Sequence, residues 1–450
     1  MRKTLAYLAA FVIAGYVVYL DYLLVQGVVG RVVELVFPSA PEYQVHAFVR
    51  YLFYLTGAFV IFVYSAYFIF YLYFKGNERG EPSPRFYPKV SIVVPARNEA
   101  MNIGKLIESI RYQDYPRDCY EIIVVDDGSE DGTGDIAQRF GAKVVRHEKN
   151  LGKAKALESG ISVAEGDVVI TMDADSYLGT GSSLRNIVAN LFGKPFAGIS
   201  TGIIRIDERG LGLIEKFQSI EYLNSFEIGR RVQGYMDWLL VVPGAFSAFK
   251  GYFLKSLPAV PKETLAEDFE LAMVAYRGGL TSNFEPKAVT YTEPVDSWSA
   301  LYRQRIRWYY GGLQVLAKYN DMIMNRKYGE RGLFLFLHMI ILEYVLPTLH
   351  VFGLVAFPTI LILQNLLGVQ ILDVTLPNHL IIFVFLLVLL LQYLPGIVID
   401  FSAIAIEWEA KRALKYLPFI VLYYVLYNPL LSIAKVDSLA RFLRGVVQSW

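Results

Sequence analysis

The 450-residue chain has a single cysteine, Cys119, and few charges: Lys, Arg, Asp and Glu make up 19% of it and almost cancel, to a formal net charge of +1. One thiol excludes an internal disulfide and a cysteine-rich metal site. Near-neutrality removes the broad basic surface that a nucleic acid partner requires, so none is expected. A cleaved signal peptide is not expected either. The first apolar stretch, Ala6 to Gly30, is interrupted only by Asp21 and far exceeds the roughly 7–15 residues of a signal-peptide core. It reads as a retained anchor.

Apolar residues are abundant, at 54%, and they gather at the two ends, which is the distribution of an integral membrane protein. Tyr51 to Phe74 carries no charge over 24 residues, enough to cross about 30 Å of hydrocarbon as a helix. Two transmembrane helices are therefore expected in residues 1–74. A mixed, charged block follows from Lys75 to about Arg331, long enough for a sizeable core. Beyond it, Leu333 to Leu372 carries only Glu343, Leu380 to Ile399 carries no charge, and Tyr416 to Ile433 is interrupted by Asn428-Pro429. Residues 332–450 thus predict three or four helices, the forty-residue stretch being one span or two short ones around Pro347.

Lys and Arg beside the spans set orientation. Arg2-Lys3, Lys75 with Arg79, and Arg326-Lys327 with Arg331 fall on one side if two helices come first. That side is expected to be cytoplasmic, making this an integral protein of the cell membrane with an inward-facing soluble domain. Arg441 and Arg444 fall outside under five crossings, and a sixth crossing or a re-entrant turn at Asn428-Pro429 brings them back.

The charged block alternates strand and helix patterns. Lys89 to Val94 is a β-branched run ended by Pro95, and Ile103 to Tyr112 has helical spacing. Glu121 to Val125, Lys143 to Val145 and Val168 to Met172 read as strands, with helices over Asp135–Phe140 and Lys153–Ala164. The pattern predicts an α/β fold whose mostly parallel sheet has helices on both faces. Ligands of such sheets lie at the strands' carboxyl ends, and Asp126, Asp127, Asp173 and Asp175 are expected there, just past the strands.

Asp173-Ala174-Asp175 after a buried strand can present two carboxylates to a hard cation, Mg²⁺ or Mn²⁺, shared with substrate phosphates. Taken alone, the same residues also suit a turn or a helix cap. Glu267-Asp268 opens a helical segment ended by Gly278-Gly279. Acidic residues there can simply complement the helix dipole; Asp268 is also a candidate general base, with Glu267 orienting it or capping the helix. Arg307 offers a guanidinium fork for a diphosphate, and Trp308 an indole face for a sugar ring. Trp298, by contrast, reads as an interfacial anchor. Trp298 to Lys318, basic and aromatic together, predicts an amphipathic helix on the membrane surface, giving residues 298–331 an interface role in contact with membrane lipids.

Ser91-Ile92-Val93-Val94-Pro95-Ala96-Arg97-Asn98-Glu99, Val125-Asp126-Asp127-Gly128-Ser129, Asp173-Ala174-Asp175, Glu267-Asp268 and Gln304-Arg305-Ile306-Arg307-Trp308 occur in that order. Together they resemble the signature of membrane-integrated family 2 glycosyltransferases, the branch of cellulose, chitin, hyaluronan and poly-N-acetylglucosamine synthases. The resemblance spans about Pro88 to Gly312. It implies a GT-A nucleotide-sugar domain over residues 75–297, inserted between the helical ends. It also implies that Pro95, Arg97 and Glu99 line the nucleobase and ribose pocket, that Asp126 or Asp127 reads the uracil end, and that Lys153, otherwise an ordinary helix-surface lysine, lies near the nucleotide. Asp173 and Asp175 would flank the metal, Gly244 would lie in a loop near the donor and acceptor sugars, and Asp268 would be the base. Gln304 and Arg307 would hold the diphosphate and Trp308 would carry the acceptor sugar. Ala266 departs from the pattern, which often has Thr before Glu-Asp.

The expected reaction is inverting transfer from a UDP-sugar, UDP-N-acetylglucosamine or UDP-glucose leading, to a growing polysaccharide exported through the helices. The alternative is a single addition to a membrane lipid, as in ceramide glucosyltransferases. A non-enzymatic scaffold would need neither Asp-x-Asp nor Glu-Asp.

Overall fold

The computed structural model describes residues 47–78, 87–208, 210, 212–237, 239–329, 332–333, 336–367 and 378–446. Contacts divide the chain into two units, one comprising Asn77–His338 with the C-terminal residues from Arg441 onward, the other the chain up to Gly76 with Met339–Ala440.

The first unit is built on one eight-stranded sheet: β1 Val90–Ala96, β2 Tyr120–Asp127, β3 Lys143–His147, β4 Val168–Thr171, β5 Ser176–Leu178, β6 Ala197–Ile206, β7 Ser247–Lys250 and β8 Thr281–Thr292. Their spatial order is β3-β2-β1-β4-β7-β6-β8-β5. β3, β2, β1 and β4 are mutually parallel, as are β6 and β8. β7 runs antiparallel to both β4 and β6, and β5 antiparallel to β8. The expected mostly parallel sheet is thus present, with β7 reversing direction where the two parallel groups meet.

Side-chain alternation along each strand decides which helix it meets. Ile92, Val94 and Val124 face a core shared with helices Ile103–Arg111 and Ser183–Leu191, through Ile103, Leu106, Ile107, Ile110, Leu184, Ile187 and Val188. Val93 and Val125 point the other way, onto helix Lys153–Ser162. There the backbones approach so closely that a methyl group on Gly160 would lie 2.3 Å from Val93 Cγ1. Glycine is therefore a packing requirement in that helix.

The register fixes the position of the acidic residues and corrects one expectation. Asp126 and Asp127 do not lie past β2 but form its last two positions, opposite Arg146 and His147 of β3. β3 continues to His147, two residues beyond the run expected from its apolar residues, and its ladder holds β2 extended through both aspartates. Asp173 does follow β4, the Met172 amide donating to the Val93 carbonyl at 3.1 Å before the chain turns.

In the second unit, Tyr51–Phe74 lies within helix Ala47–Gly76 and Leu380–Ile399 within helix Asn378–Glu407. Leu333–Leu372 falls on the helical segments Phe336–Ile340, Ile341–Val345 and Leu346–Leu367 and partly outside the described residues, where the expected span Ala6–Gly30 also lies. Asn428-Pro429 does not break the chain's course: helix runs from Ala410 to Leu443. A wider π-helical stretch, Tyr423–Tyr427, precedes it. Widening there accommodates the missing proline N–H and its clash with the carbonyl four residues back, so a re-entrant turn at this point is overturned. By length and composition, Ala410–Leu443 is long and apolar enough to cross a membrane. At the helix base, Glu407 accepts hydrogen bonds from Tyr71 and Lys75.

Gly160→Ala is expected to lower unfolding free energy by about 1–3 kcal/mol, because the methyl group overpacks Val93 and Val125. A denaturant titration of the full chain measures it, and an unchanged midpoint would contradict the close approach.

Candidate active site

Two loops at the carboxyl ends of β1 and β2 are laced together. The Asn98 amide donates to Ser129 Oγ at 3.0 Å, the Glu130 amide to Asn98 Oδ1 at 2.9 Å, the Glu99 amide to Thr133 Oγ1 at 2.8 Å and the Ala100 amide to Asp131 Oδ2 at 2.9 Å. Asn98 takes a left-handed conformation, φ 56°, that its short polar side chain tolerates. Pro95 is half-buried in β1, Arg97 is exposed and Glu99 is half-buried. Gly128 has φ 72°, and a Cβ there would lie 2.7 Å from the Lys149 backbone, which accounts for the glycine after the aspartate pair.

Asp126 and Asp127 are buried and turned toward their own backbone. Asp126 Oδ1 accepts from the Ser129 amide at 3.0 Å. Asp127 accepts from the Leu151 and Gly152 amides at 2.9 and 2.8 Å and contacts His147 Nδ1 at 2.7 Å, while His147 Nε2 lies 3.0 Å from Ser159 Oγ. Asp127 thereby ties the start of helix Lys153–Ser162 to the sheet edge. His147 and Ser159 escaped the sequence reading because nothing local marks them; the only clue is the Asp127–His147 pairing across parallel strands.

That anchored helix start carries Lys153. Its ammonium lies 2.6 Å from Asp173 Oδ1 and 3.4 Å from Glu267 Oε1. Gly244 closes over it, since a Cβ at Gly244 would lie 2.8 Å from Lys153 Nζ and 3.3 Å from Asp173 Oδ1. Lys153, Asp173, Gly244 and Glu267, from four separate parts of the chain, thus meet at one point. Burial opposes the lysine's charge, but Asp173, Glu267 and Asp268 together hold its pKa above the ordinary range. The side chain keeps 39% of its accessibility, so the cluster opens to solvent.

Asp268 is the second residue of helix Glu267–Arg277. Burial, then the neighbouring Glu267, pushes it up to about 6, with Lys153 and the Phe269 amide acting the other way. Ala266 at the preceding cap position contributes no side-chain hydrogen bond. It packs against helix Trp298–Lys318, where a Cβ on Gly311 would lie 3.0 Å from its own methyl. Asp175 accepts from Ser176 Oγ at 3.1 Å and Thr292 Oγ1 at 3.3 Å. Burial, then Asp173 and Glu99, pushes it up to about 7. Glu99 is itself raised, by burial first, and Asn102 bridges it to Glu293 with contacts of 2.9 and 3.1 Å.

These carboxylates suit a divalent cation. Asp173 and Asp175 repel one another in a partly desolvated pit, a strain that a cation relieves, and Mg²⁺ commonly takes one or two carboxylates and completes its shell with phosphate and water. Among the described residues no group of three or more His, Cys, Asp or Glu forms a complete protein cage, so substrate oxygens would have to supply the remaining ligands.

The Gln304–Trp308 segment divides its residues. Arg305 is 1% exposed and forms a bidentate pair with Glu221. It donates to Gln304 Oε1, and its guanidinium lies 4.1 Å from the Trp308 ring centre. Trp308 packs with Ile204, Ile206, Tyr222, Ala245 and Phe226, next to the Gly244 loop. Tyr222 feels Arg305, Asp175 and Asp173 electrostatically, which links this group to the acidic cluster. Arg307 is exposed on the same helix, with no contact to the acidic cluster among the described residues.

Residues 91–257 match the family model described as Glycosyl transferase family 2. Residues 91–257 are thus similar to a family 2 glycosyltransferase domain, and they span β1, β2 and β4 with the aspartates at their ends. It is 31% identical over 260 residues to "Probable glycosyltransferase YdaM" of Bacillus subtilis (strain 168), covering 55% of this chain and 61% of that protein. It is 28% identical over 233 residues to "Poly-beta-1,6-N-acetyl-D-glucosamine synthase" of Staphylococcus epidermidis, covering 51% and 56%. The matches thus span under two thirds of either relative. Among solved structures, mannosyltransferase PcManGT from Pyrobaculum calidifontis, in complex with GDP-Man and Mn²⁺, matches with a TM-score of 0.56 at 20% identity, covering 87% of this chain and 99% of that one. At that identity the likeness is one of fold, a GT-A-like α/β architecture.

The Asp268 shift has a definite sign for stability. A carboxyl raised from 3.8 to about 6 contributes stability that is fully present below about pH 4 and is lost as pH rises through about 6. Relative to Asp268→Asn, the unchanged protein should therefore lose up to about 3 kcal/mol of unfolding free energy between about pH 4 and pH 7. Parallel unfolding curves at a series of pH values check this, and a constant difference would contradict it.

Proposed function

We propose that the chain is an inverting, metal-dependent glycosyltransferase that moves a sugar from a UDP-sugar to a growing polysaccharide, and that its helical unit lies in the cell membrane and passes the product across. The observation that carries this reading is the meeting of Lys153, Asp173 and Glu267 within ion-pair distance, with Asp268 beside them. Similarity to a poly-β-1,6-N-acetyl-D-glucosamine synthase supports a polymer as the product.

In this reading Pro95, Arg97 and Glu99 line the nucleoside pocket beside the laced loops, and Asp126 and Asp127 set its floor. Asp173 and Asp175 would hold the cation, which would supply positive charge to the departing diphosphate. Gln304 and Arg307 complete the diphosphate site. Asp268 accepts the proton of the acceptor hydroxyl as its oxygen bonds to the anomeric carbon and the bond from that carbon to the diphosphate oxygen breaks. One displacement inverts the centre, so an α-linked donor gives a β-glycoside. A base lifted toward neutrality matches this task better than an ordinary aspartate. Trp308, fixed against Arg305, presents its remaining ring surface to the acceptor sugar.

Two variants test the assignment. Asp268→Asn should keep donor binding, read by UDP displacement, and lose about 10²–10⁴ in transfer rate; near-normal transfer would move the base to another residue. Asp175→Asn should lose divalent-dependent turnover while staying folded, with an unfolding midpoint no lower than that of the unchanged protein, because burial disfavours the Asp175 charge. Undiminished turnover with the same Mg²⁺ or Mn²⁺ dependence would overturn the metal assignment.

A further inference from the structure

Of Arg205, Arg230, Arg231 and Arg305, three have carboxylate partners. Arg305 pairs with Glu221, Arg205 with Glu227 at 2.6 Å, and Arg231 with Glu78 as well as Glu227, the latter at 3.8 Å. Arg230 has none among the described residues. It opens helix Arg230–Tyr235 directly after the π-helical turn Leu223–Gly229 and is 6% exposed, and its Nη1 has no hydrogen-bond partner. The Phe226 ring, 4.4 Å from its guanidinium, offsets only part of the desolvation. Burial lowers its pKa to about 10, which leaves the group charged at neutral pH.

A buried cation with no ion-pair partner in contact is costly, and is retained where something else supplies the charge. The position of Arg230 indicates what that is. Its electrostatic neighbours are Asp268 and then Tyr222, and no ion pair bridges the space to Asp268. The Phe226 ring against which its guanidinium lies packs in turn with Tyr222 and Trp308, the residue assigned to the acceptor sugar, so Arg230 lies on the acceptor side of the cluster. Elsewhere that cluster presents Glu267, Asp268, Asp173, Asp175, Glu99 and Glu293, which repel anions, and its ammonium, Lys153, is already paired with Asp173 and Glu267, so Arg230 is the cation left for a negative group on an incoming acceptor.

We infer that Arg230 is the counter-ion for an anionic group, a phosphate or a carboxylate, carried by the acceptor close to the hydroxyl that Asp268 deprotonates. The inference rests on the proposed transferase reading and narrows its acceptor to a charged class. A guanidinium fork matches either anion with two parallel hydrogen bonds, and the surrounding low polarity strengthens them.

The test compares three acceptors with the full-length enzyme and UDP-N-acetylglucosamine or UDP-glucose: n-dodecyl β-D-glucoside, n-dodecyl β-D-glucuronide, and glucose joined to dodecanol through a phosphodiester. The unchanged enzyme should favour at least one charged acceptor over the neutral one by about 30- to 100-fold in kcat/KM, and Arg230→Gln should bring that ratio close to unity. Arg230→Lys, which keeps the charge but not the fork, should give an intermediate ratio and provides the readout if the glutamine variant fails to fold. Preference for the phosphodiester assigns a lipid-phosphate-linked acceptor; preference for the glucuronide assigns an acidic sugar. Equal use of all three by the unchanged enzyme, or a ratio that Arg230→Gln leaves intact, overturns the anion site alone. Absence of transfer to every acceptor from every donor overturns the transferase reading with it.

Discussion

One ammonium group holds the candidate centre together. Lys153 Nζ, 2.6 Å from Asp173 and 3.4 Å from Glu267, lets carboxylates from the end of a strand and the start of a helix approach in a partly desolvated pit. Without it Asp173, Glu267 and Asp268 would repel one another in surroundings that screen charge poorly. The position of that lysine is set in turn by Asp127, which accepts the Leu151 and Gly152 amides just ahead of it. The second aspartate of the β2 pair thus acts on the acidic cluster through the backbone of another segment. His147 and Ser159 brace it from behind.

The sheet makes this convergence possible. Parallel β2, β1 and β4 deliver Asp127, Glu99 and Asp173 to the same edge, and antiparallel β7 lets the chain return through Gly244 to close over Lys153. Each tight approach demands a residue without a side chain: Gly160 lets the lysine's helix press onto β1, and Gly244 leaves room for the lysine's tip. Substitution at either site would act on the carboxylates at a distance, by moving the cation between them.

Much of this was legible in the sequence because the relevant signals are local. β-branched runs marked the strands, and Asp173-Ala174-Asp175 and Glu267-Asp268 marked the carboxylates that the fold brings together. The misses share one physical origin, contacts between distant segments. Ladder pairing with Arg146 and His147 drew Asp126 and Asp127 into β2, although their polarity read as a strand's end. The wide turn at Tyr423–Tyr427 absorbed Pro429, which reads locally as a break. Gln304 and Arg307 read as diphosphate ligands and Trp308 as a sugar platform, yet helical geometry leaves Arg307 on the surface and sends Arg305 inward to Glu221. Arg230 had no signal at all: an arginine becomes notable only when the fold buries it away from every acid that its neighbours use.

The central claim, that this acidic cluster performs an inverting sugar transfer, is tested most directly by the stereochemistry of the product. Purified full-length protein would be given α-linked UDP-N-acetylglucosamine or UDP-glucose with Mg²⁺ or Mn²⁺, and the new linkage read by NMR from the anomeric proton coupling. The account predicts release of UDP together with a β-linked product. An α-linked product would contradict single displacement by an acceptor activated at Asp268.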